Sequence, residues 1–325
     1  MNLINFRILI VFFLLINNLF AQDYKLVDET VKKYPSNFES TSALASQINV
    51  DFKSESDKAR AIFCWIAYNV EYDVKTFLNP QPISGFSYSS ESEKIEKLNK
   101  IEEQIIYRSF RRKMAVCEGY AVLFNHLAKL VGLNCEVVKG ASKVMNTDIG
   151  VKKIIQNHAW NSIQIDRTWR LIDVTWGAGF LDYNTQKFVR KFTPIYFDLD
   201  SKYFFMNHFP IDSKWNNIVL DKNLYLNLPL VYNKFLEDKM EIFEPKSGII
   251  DASANDKIIF KIKNISKTAL LQYQNNRGDI SKIDAIKFDN DIAEFSINYQ
   301  KKDGKFLTLY IDGISTMAFK IMPRR

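Results

Sequence analysis

Three histidines and three cysteines are all that this chain of 325 residues contains, and so small a stock excludes much. It has no C-x-x-C, no H-E-x-x-H, no G-x-x-x-x-G-K-[ST] phosphate loop and no G-x-S-x-G elbow. His126, His158 and His208 stand in separate contexts, so no protein metal site and no cofactor is expected. Internal repeats and low-complexity tracts are missing too. Beyond the first residues no run approaches the roughly 18 apolar residues of a membrane helix, so the mature chain has no span. The net charge of +7 is spread along the chain rather than gathered in a block. That suits a solubilising surface and gives no mark of a nucleic-acid partner.

What is present begins with an export signal. Arg7 precedes an apolar run over residues 8–16, too short to span a bilayer, and Ala21 offers a small residue for cleavage. The expectation is a signal peptide over 1–21 and a secreted or periplasmic mature chain, or, without cleavage, an N-terminal anchor. Three cysteines then remain, an odd number, so in an oxidising compartment at least one thiol stays free or pairs with another molecule. Cys64 and Cys135 lie in apolar runs and read as small core residues or as partners in one disulfide. Cys117 stands at the edge of a helix.

Length favours two folded units. Apolar periodicity predicts a core-facing helix over 56–69, a charged helix over 93–110 after a Pro/Gly/Ser-rich loop at 79–92, and a clear helix over 116–132 ending at Gly132. Short strands are expected at 135–139, 159–165 and 169–174, and 185–220 reads as irregular and aromatic. Six strand-like runs follow: 258–262, 270–273, 283–288, 294–299, 305–311 and 317–321. Their spacing of roughly ten residues suggests a small β-sandwich over 245–325, joined by a linker at 221–244 to an α+β unit over 22–220.

A thiol at a helix N-terminus faces unpaired backbone N–H groups and the positive end of the dipole, and both favour thiolate. Cys117 is so placed. Of the histidines, His126 lies nine residues further along the same helix, about 13 Å away along the axis, and cannot reach it. His208 sits in a loop-like context and reads as a surface or packing residue. His158 opens a strand, and a hairpin turning at Asp166–Arg167 would bring Asp173 of the next strand nearly opposite it. A carboxylate in so apolar a strand needs a partner unless it lies exposed on a strand edge. Cys117, His158 and Asp173 thus form a candidate set of nucleophile, base and orienter. Trp160 and Trp176 could wall a substrate cleft or pack a core; Trp169 and Tyr120 read as packing.

Val116-Cys-Glu-Gly-Tyr-Ala121, His158-Ala-Trp-Asn161 and Trp169-Arg-Leu-Ile-Asp-Val-Thr-Trp-Gly-Ala-Gly179 together resemble the transglutaminase-like superfamily, in the branch related to kyphoscoliosis peptidase and a fungal cytokinesis protein. Residues 57–66 and 70–73 upstream, and 203–210 with Trp215 downstream, are similar to segments of that branch. The resemblance covers about residues 50–215. It implies a papain-like core with Cys117 as nucleophile, His158 as base and Asp173 as orienter. It implies an amide-bond enzyme, peptidase, amidase or protein-glutamine acyltransferase, working through a thioester on a protein or peptide substrate, cell-wall peptide among the options. The alternative is a scaffold or binding protein that keeps the fold without turnover. The hairpin turn departs from the family pattern, because Asp166-Arg167 stands where Asp-Gly or Gly-Lys is usual. No side chain matches the family's oxyanion donor.

Overall fold

The computed structural model describes residues 24–80, 85–215 and 221–322; the leader expected over 1–21 lies outside them. Helices come first, and three of them are begun by a serine whose side chain accepts a backbone N–H. Ser40 caps Thr41–Asp51, Ser54 caps Glu55–Asn69 and Ser90 caps Glu91–Arg111. The helix Glu55–Asn69 is buried nearly all round from Ala59 to Ala67. Even its arginine is inside: Arg60 forms a two-pronged pair with Asp28 at 2.8 and 2.7 Å and lies 5.1–5.4 Å from the rings of Tyr24, Phe63, Phe192 and Phe197. That pair pins the helix Lys25–Val31 to its neighbour. Cys64 donates its thiol to the same carboxylate at 3.0 Å, and all three cysteines are free.

The helix Cys117–Leu130 ends as expected, with Gly132 at φ +87°. Against it lies an antiparallel sheet of four strands in the order Thr168–Ile172, His158–Ile165, Cys135–Ser142, His208–Pro210. The hairpin between the first two pairs Ile165 with Thr168, so its turn is two residues long. Asp166 and Arg167 both take positive φ, 49° and 62°. The departure from the usual Asp-Gly is accommodated by left-handed backbone at two non-glycine residues, without a longer loop.

The C-terminal region is all β. One sheet orders Glu241–Glu244, Lys257–Lys263, Ile292–Asn298 and Lys287–Asp289; the other runs Ile249–Asp251, Ile314–Met322, Phe306–Ile311, Leu271–Gln274, Ile280–Lys282. Phe260 stacks on Phe295 within its sheet at 5.3 Å and meets Phe319 of the other edge-on at 5.4 Å, so the two sheets share a core. The run read as one strand over 283–288 is instead where the chain crosses between sheets: Ile280–Lys282 pairs in one and Lys287–Asp289 in the other. The described part of 185–220, residues 185–215, is more regular than expected, with a hairpin of Gly179–Asp182 on Lys187–Arg190, the helix Ser201–Asn207 and the strand His208–Pro210.

The stretch 221–244, expected as a linker, is built instead of the helices Lys222–Asn227 and Asn233–Glu237 and two strands. Leu230–Val231 adds to one C-terminal sheet and Glu241–Glu244 to the other. It is fastened by Lys143, buried at the end of the four-stranded sheet that carries His158, whose ammonium donates to the carbonyls of Tyr225, Leu228 and Pro229 at 3.1, 3.0 and 3.4 Å. Burial lowers the Lys143 pKa to about 7; the three carbonyls, with the Tyr225 ring 4.7 Å away, are what hold the ammonium there below that pH. Replacing Lys143 with Met leaves the Leu228 and Pro229 carbonyls without this donor, while that of Tyr225 keeps the Leu228 N–H. The expected loss is about 2–4 kcal/mol in urea unfolding at pH 6.

Candidate functional site

The site lies where the helix Cys117–Leu130 begins beside the strand His158–Ile165. Val116, the residue before the helix, contributes no side-chain cap, so the first turn keeps backbone donors for something else. Asn161 sets the helix against the strand: fully buried, it donates to the carbonyls of Ala121 at 2.9 Å and Glu136 at 3.3 Å. The neighbouring strand comes in close at Gly140, where an added Cβ would lie 2.3 Å from both the Phe209 carbonyl and the Trp160 ring. Gly140 pairs with His158 on one side and Pro210 on the other, so a side chain there would push apart the strands that carry both histidines. Gly140→Val is expected to cost about 1–3 kcal/mol, read from chemical denaturation.

Asp173 stands just past the strand rather than within it. The strand stops at Ile172, and Asp173 caps the short helix Val174–Ala178, its Oδ1 accepting the Trp176 N–H at 3.0 Å. It has no exposure at all, which removes the alternative of a carboxylate on an open edge. Its Oδ2 lies 2.7 Å from His158 Nε2. Burial alone would raise the Asp173 pKa, but the charge and hydrogen bond of His158, helped by His208, hold it well below the usual carboxylate range. Burial alone would lower that of His158; Asp173, and then the Cys117 thiol by hydrogen bond and charge, raise it to about 10.

A raised base contributes its stability in full below its ordinary pKa and loses it as pH rises through the folded value. The gap in thermal midpoint between the wild type and His158→Gln should therefore shrink as pH climbs toward and past about 10. Differential scanning calorimetry across pH 7–11 measures it.

Cys64 and Cys135 sit apart from this centre. Both are buried, and burial pushes the thiol of Cys64 far up and that of Cys135 up to about 12. His126 lies 3.0 Å from the Thr41 hydroxyl. Tyr120 is core, its hydroxyl donating to the Val70 carbonyl at 2.8 Å. Trp169, 39% exposed, packs edge-on against Trp215. Of the two candidate cleft residues, Trp160 is 1% exposed with its ring against Phe204 and His208, so it packs beneath the site and does not wall it. Trp176 is partly exposed, 5.5 Å from the His158 ring.

His208, read from sequence as a loop residue, opens a strand paired to Ser142 and is 1% exposed. Its Nε2 lies 3.1 Å from Asp173 Oδ2, the oxygen that also holds His158. His158, Asp173 and His208 thus present donor atoms within 4.8 Å of one another, the minimum group for a metal ion. Their spacings are also those of hydrogen bonds to one shared oxygen, which accounts for the group without an ion. Tyr72 is a second residue the sequence reading missed. It sits on the two-residue strand Glu71–Tyr72 paired to Met114–Ala115, just ahead of the thiol; burial raises its pKa, and the Cys117 thiol and, more weakly, Asp173 add to that.

Residues 42–174, which include Cys117, His158 and Asp173, match the family described as the transglutaminase-like superfamily. That stretch of the chain is therefore similar to transglutaminase-like domains. Kyphoscoliosis peptidase of Mus musculus is 27% identical to it over 256 residues, 74% of this chain and 36% of that protein. The human protein of that name is 26% identical over 237 residues, 72% of this chain and 33% of its own. The chain thus matches about a third of the length of those relatives. Among solved structures, a transglutaminase shares 18% identity with a TM-score of 0.31, covering 57% of this chain and 40% of its own. Among the described residues no helix is long and apolar enough to cross a membrane.

Proposed function

We propose that the chain is a cysteine-dependent amide-bond enzyme in which Cys117 is the nucleophile, His158 its base and Asp173 the orienter. The observation that carries this reading is the hold of Asp173 on His158 Nε2. It leaves Nδ1 as the nitrogen that can serve the thiol, whose influence on His158 is felt through both hydrogen bond and charge. The thiolate attacks a carbonyl carbon of an amide or a Gln carboxamide, and His158 gives its proton to the leaving amine. The resulting thioester passes to water or to a second amine. Hydrolysis is the default fate in a water-exposed cleft, so peptidase or amidase action is favoured over cross-linking. The oxyanion would be met by backbone N–H groups at the uncapped helix start and by the Tyr72 phenol. Trp176 would flank the cleft. The protein is proposed to act outside the cytoplasm on protein or peptide, with Gln22 as the first residue of the mature chain.

Trapping tests it. Incubation with p-nitrophenyl acetate followed by acid quench should add one acetyl group to Cys117, seen by peptide mass spectrometry, and Cys117→Ala should take up none. Acetylation that persists in Cys117→Ala, or that falls on Cys64 or Cys135, would remove the reading.

A further inference from the structure

His208 has both ring nitrogens set against acceptors. Nδ1 lies 3.0 Å from the Phe204 carbonyl and Nε2 lies 3.1 Å from Asp173 Oδ2. Neither a backbone carbonyl nor an ionised carboxylate can donate, so each contact is a hydrogen bond only if that nitrogen carries a proton. A neutral imidazole, in either tautomer, would press a lone pair against an oxygen inside a site with 1% exposure. Around the ring stand the faces and edges of Phe204 at 4.0 Å, Trp176 at 4.4 Å and Trp160 at 5.1 Å, surroundings that favour a cation. Desolvation by burial, joined by the charge of His158, lowers the His208 pKa; the Asp173 hydrogen bond and charge and the Phe204 carbonyl oppose this without reversing it, so it is the geometry, with an acceptor at each nitrogen, that speaks for the protonated ring. The titratable groups that face it are Asp173 and His158, the latter with its ring 5.5 Å away.

We propose that His208 is a positioning residue of the thiol site: an imidazolium that donates Nδ1–H to Phe204 and Nε2–H to Asp173, fixing the carboxylate oxygen that orients His158. This rests on the reading of Cys117, His158 and Asp173 above. With it the carboxylate of Asp173 stands between two buried imidazolium rings and accepts from both on one oxygen. The arrangement also makes His208 a competitor for the oxygen that binds His158, so His208 tempers the hold of Asp173 on the base.

The test begins with ring-nitrogen NMR, for which a chain with three histidines is well suited. At pH 7 the wild type should show both His208 nitrogens protonated. In Asp173→Asn, where an amide N–H replaces the accepting oxygen, Nε2 should lose its proton while Nδ1 keeps the one bonded to Phe204. His208→Gln retains a donor near the position of Nε2 and carries no charge. In it, the iodoacetamide labelling profile of Cys117 should move to higher pH by about one unit, the effect of losing a charge some ångströms away at intermediate dielectric.

A wild-type His208 with one bare nitrogen would overturn the proposal. So would a labelling profile unmoved by His208→Gln, or a stoichiometric metal whose chelation changes the His208 signals. The nitrogen signals do not depend on thiol chemistry. A wild-type Cys117 that labels like an ordinary thiol would therefore sink the enzyme reading while they still decide the state of His208.

Discussion

Asp173→Asn should leave a folded protein whose acylation by p-nitrophenyl acetate is slower by about four orders of magnitude, as in the serine-protease analogue. The geometry says why. The Trp176 N–H at 3.0 Å from Oδ1 requires an acceptor on that side, so the asparagine oxygen stays there and its NH₂ takes the place of Oδ2. That amide donates to His158 Nε2, which then cannot carry a proton, and the ring keeps its hydrogen on Nδ1. A nitrogen that already bears hydrogen cannot take one from the Cys117 thiol. Every hydrogen bond of the substituted side chain is satisfied, so the thermal midpoint should move little while turnover collapses. Stopped-flow release of nitrophenolate measures the rate, and a loss of less than tenfold would deny Asp173 its orienting role.

The positions of Cys117, His158 and Asp173 were legible because they follow local rules. Cys117 sits at a helix start set by the apolar spacing of Tyr120, Phe124 and Leu127, and Asp166-Arg167 marks the turn of a hairpin even without glycine. The register then places Asn161 opposite Ile172, which carries His158 and Asp173 to the same end of the pair. His208 was not legible. Its strand has three residues and exists only because it pairs with Ser142, Ala141 and Gly140, some 70 positions earlier; nothing in Met206-Asn-His-Phe-Pro210 announces that partner. The strands within 221–244 were hidden for a similar reason. Leu230–Val231 is a strand through its pairing with Ala318 and Met317 near the other end of the chain. A two-residue strand has no periodicity of its own to read. Trp160 shows the limit at the side-chain level: an aromatic beside His158 lines a cleft or lies under it depending on which face of the strand is covered, and that is settled by the helix Ser201–Asn207 with Phe204.

His158→Ala should slow alkylation of Cys117 at pH 6 by about 100-fold while leaving the rate above pH 9 nearly unchanged. In the wild type the neighbouring imidazolium and the helix start are expected to activate the thiol at pH 6. The charge on His158 is secure at that pH, because Asp173 and the thiol raise its pKa to about 10 against the opposing effect of burial. Without the imidazole, Cys117 should behave more like a free thiol, whose anion at pH 6 is scarcer by more than two orders of magnitude; its higher nucleophilicity recovers part of the loss. Cys64 and Cys135 supply the internal control, since both are buried and burial pushes both thiols up. Native protein should therefore incorporate one iodoacetamide per chain at pH 6, mapped to Cys117 by mass spectrometry. A profile centred near pH 8.5 that His158→Ala does not move would mean that imidazole and thiol are neighbours without being a pair. The domain would then be better described as a binding scaffold that has kept the fold and lost the chemistry.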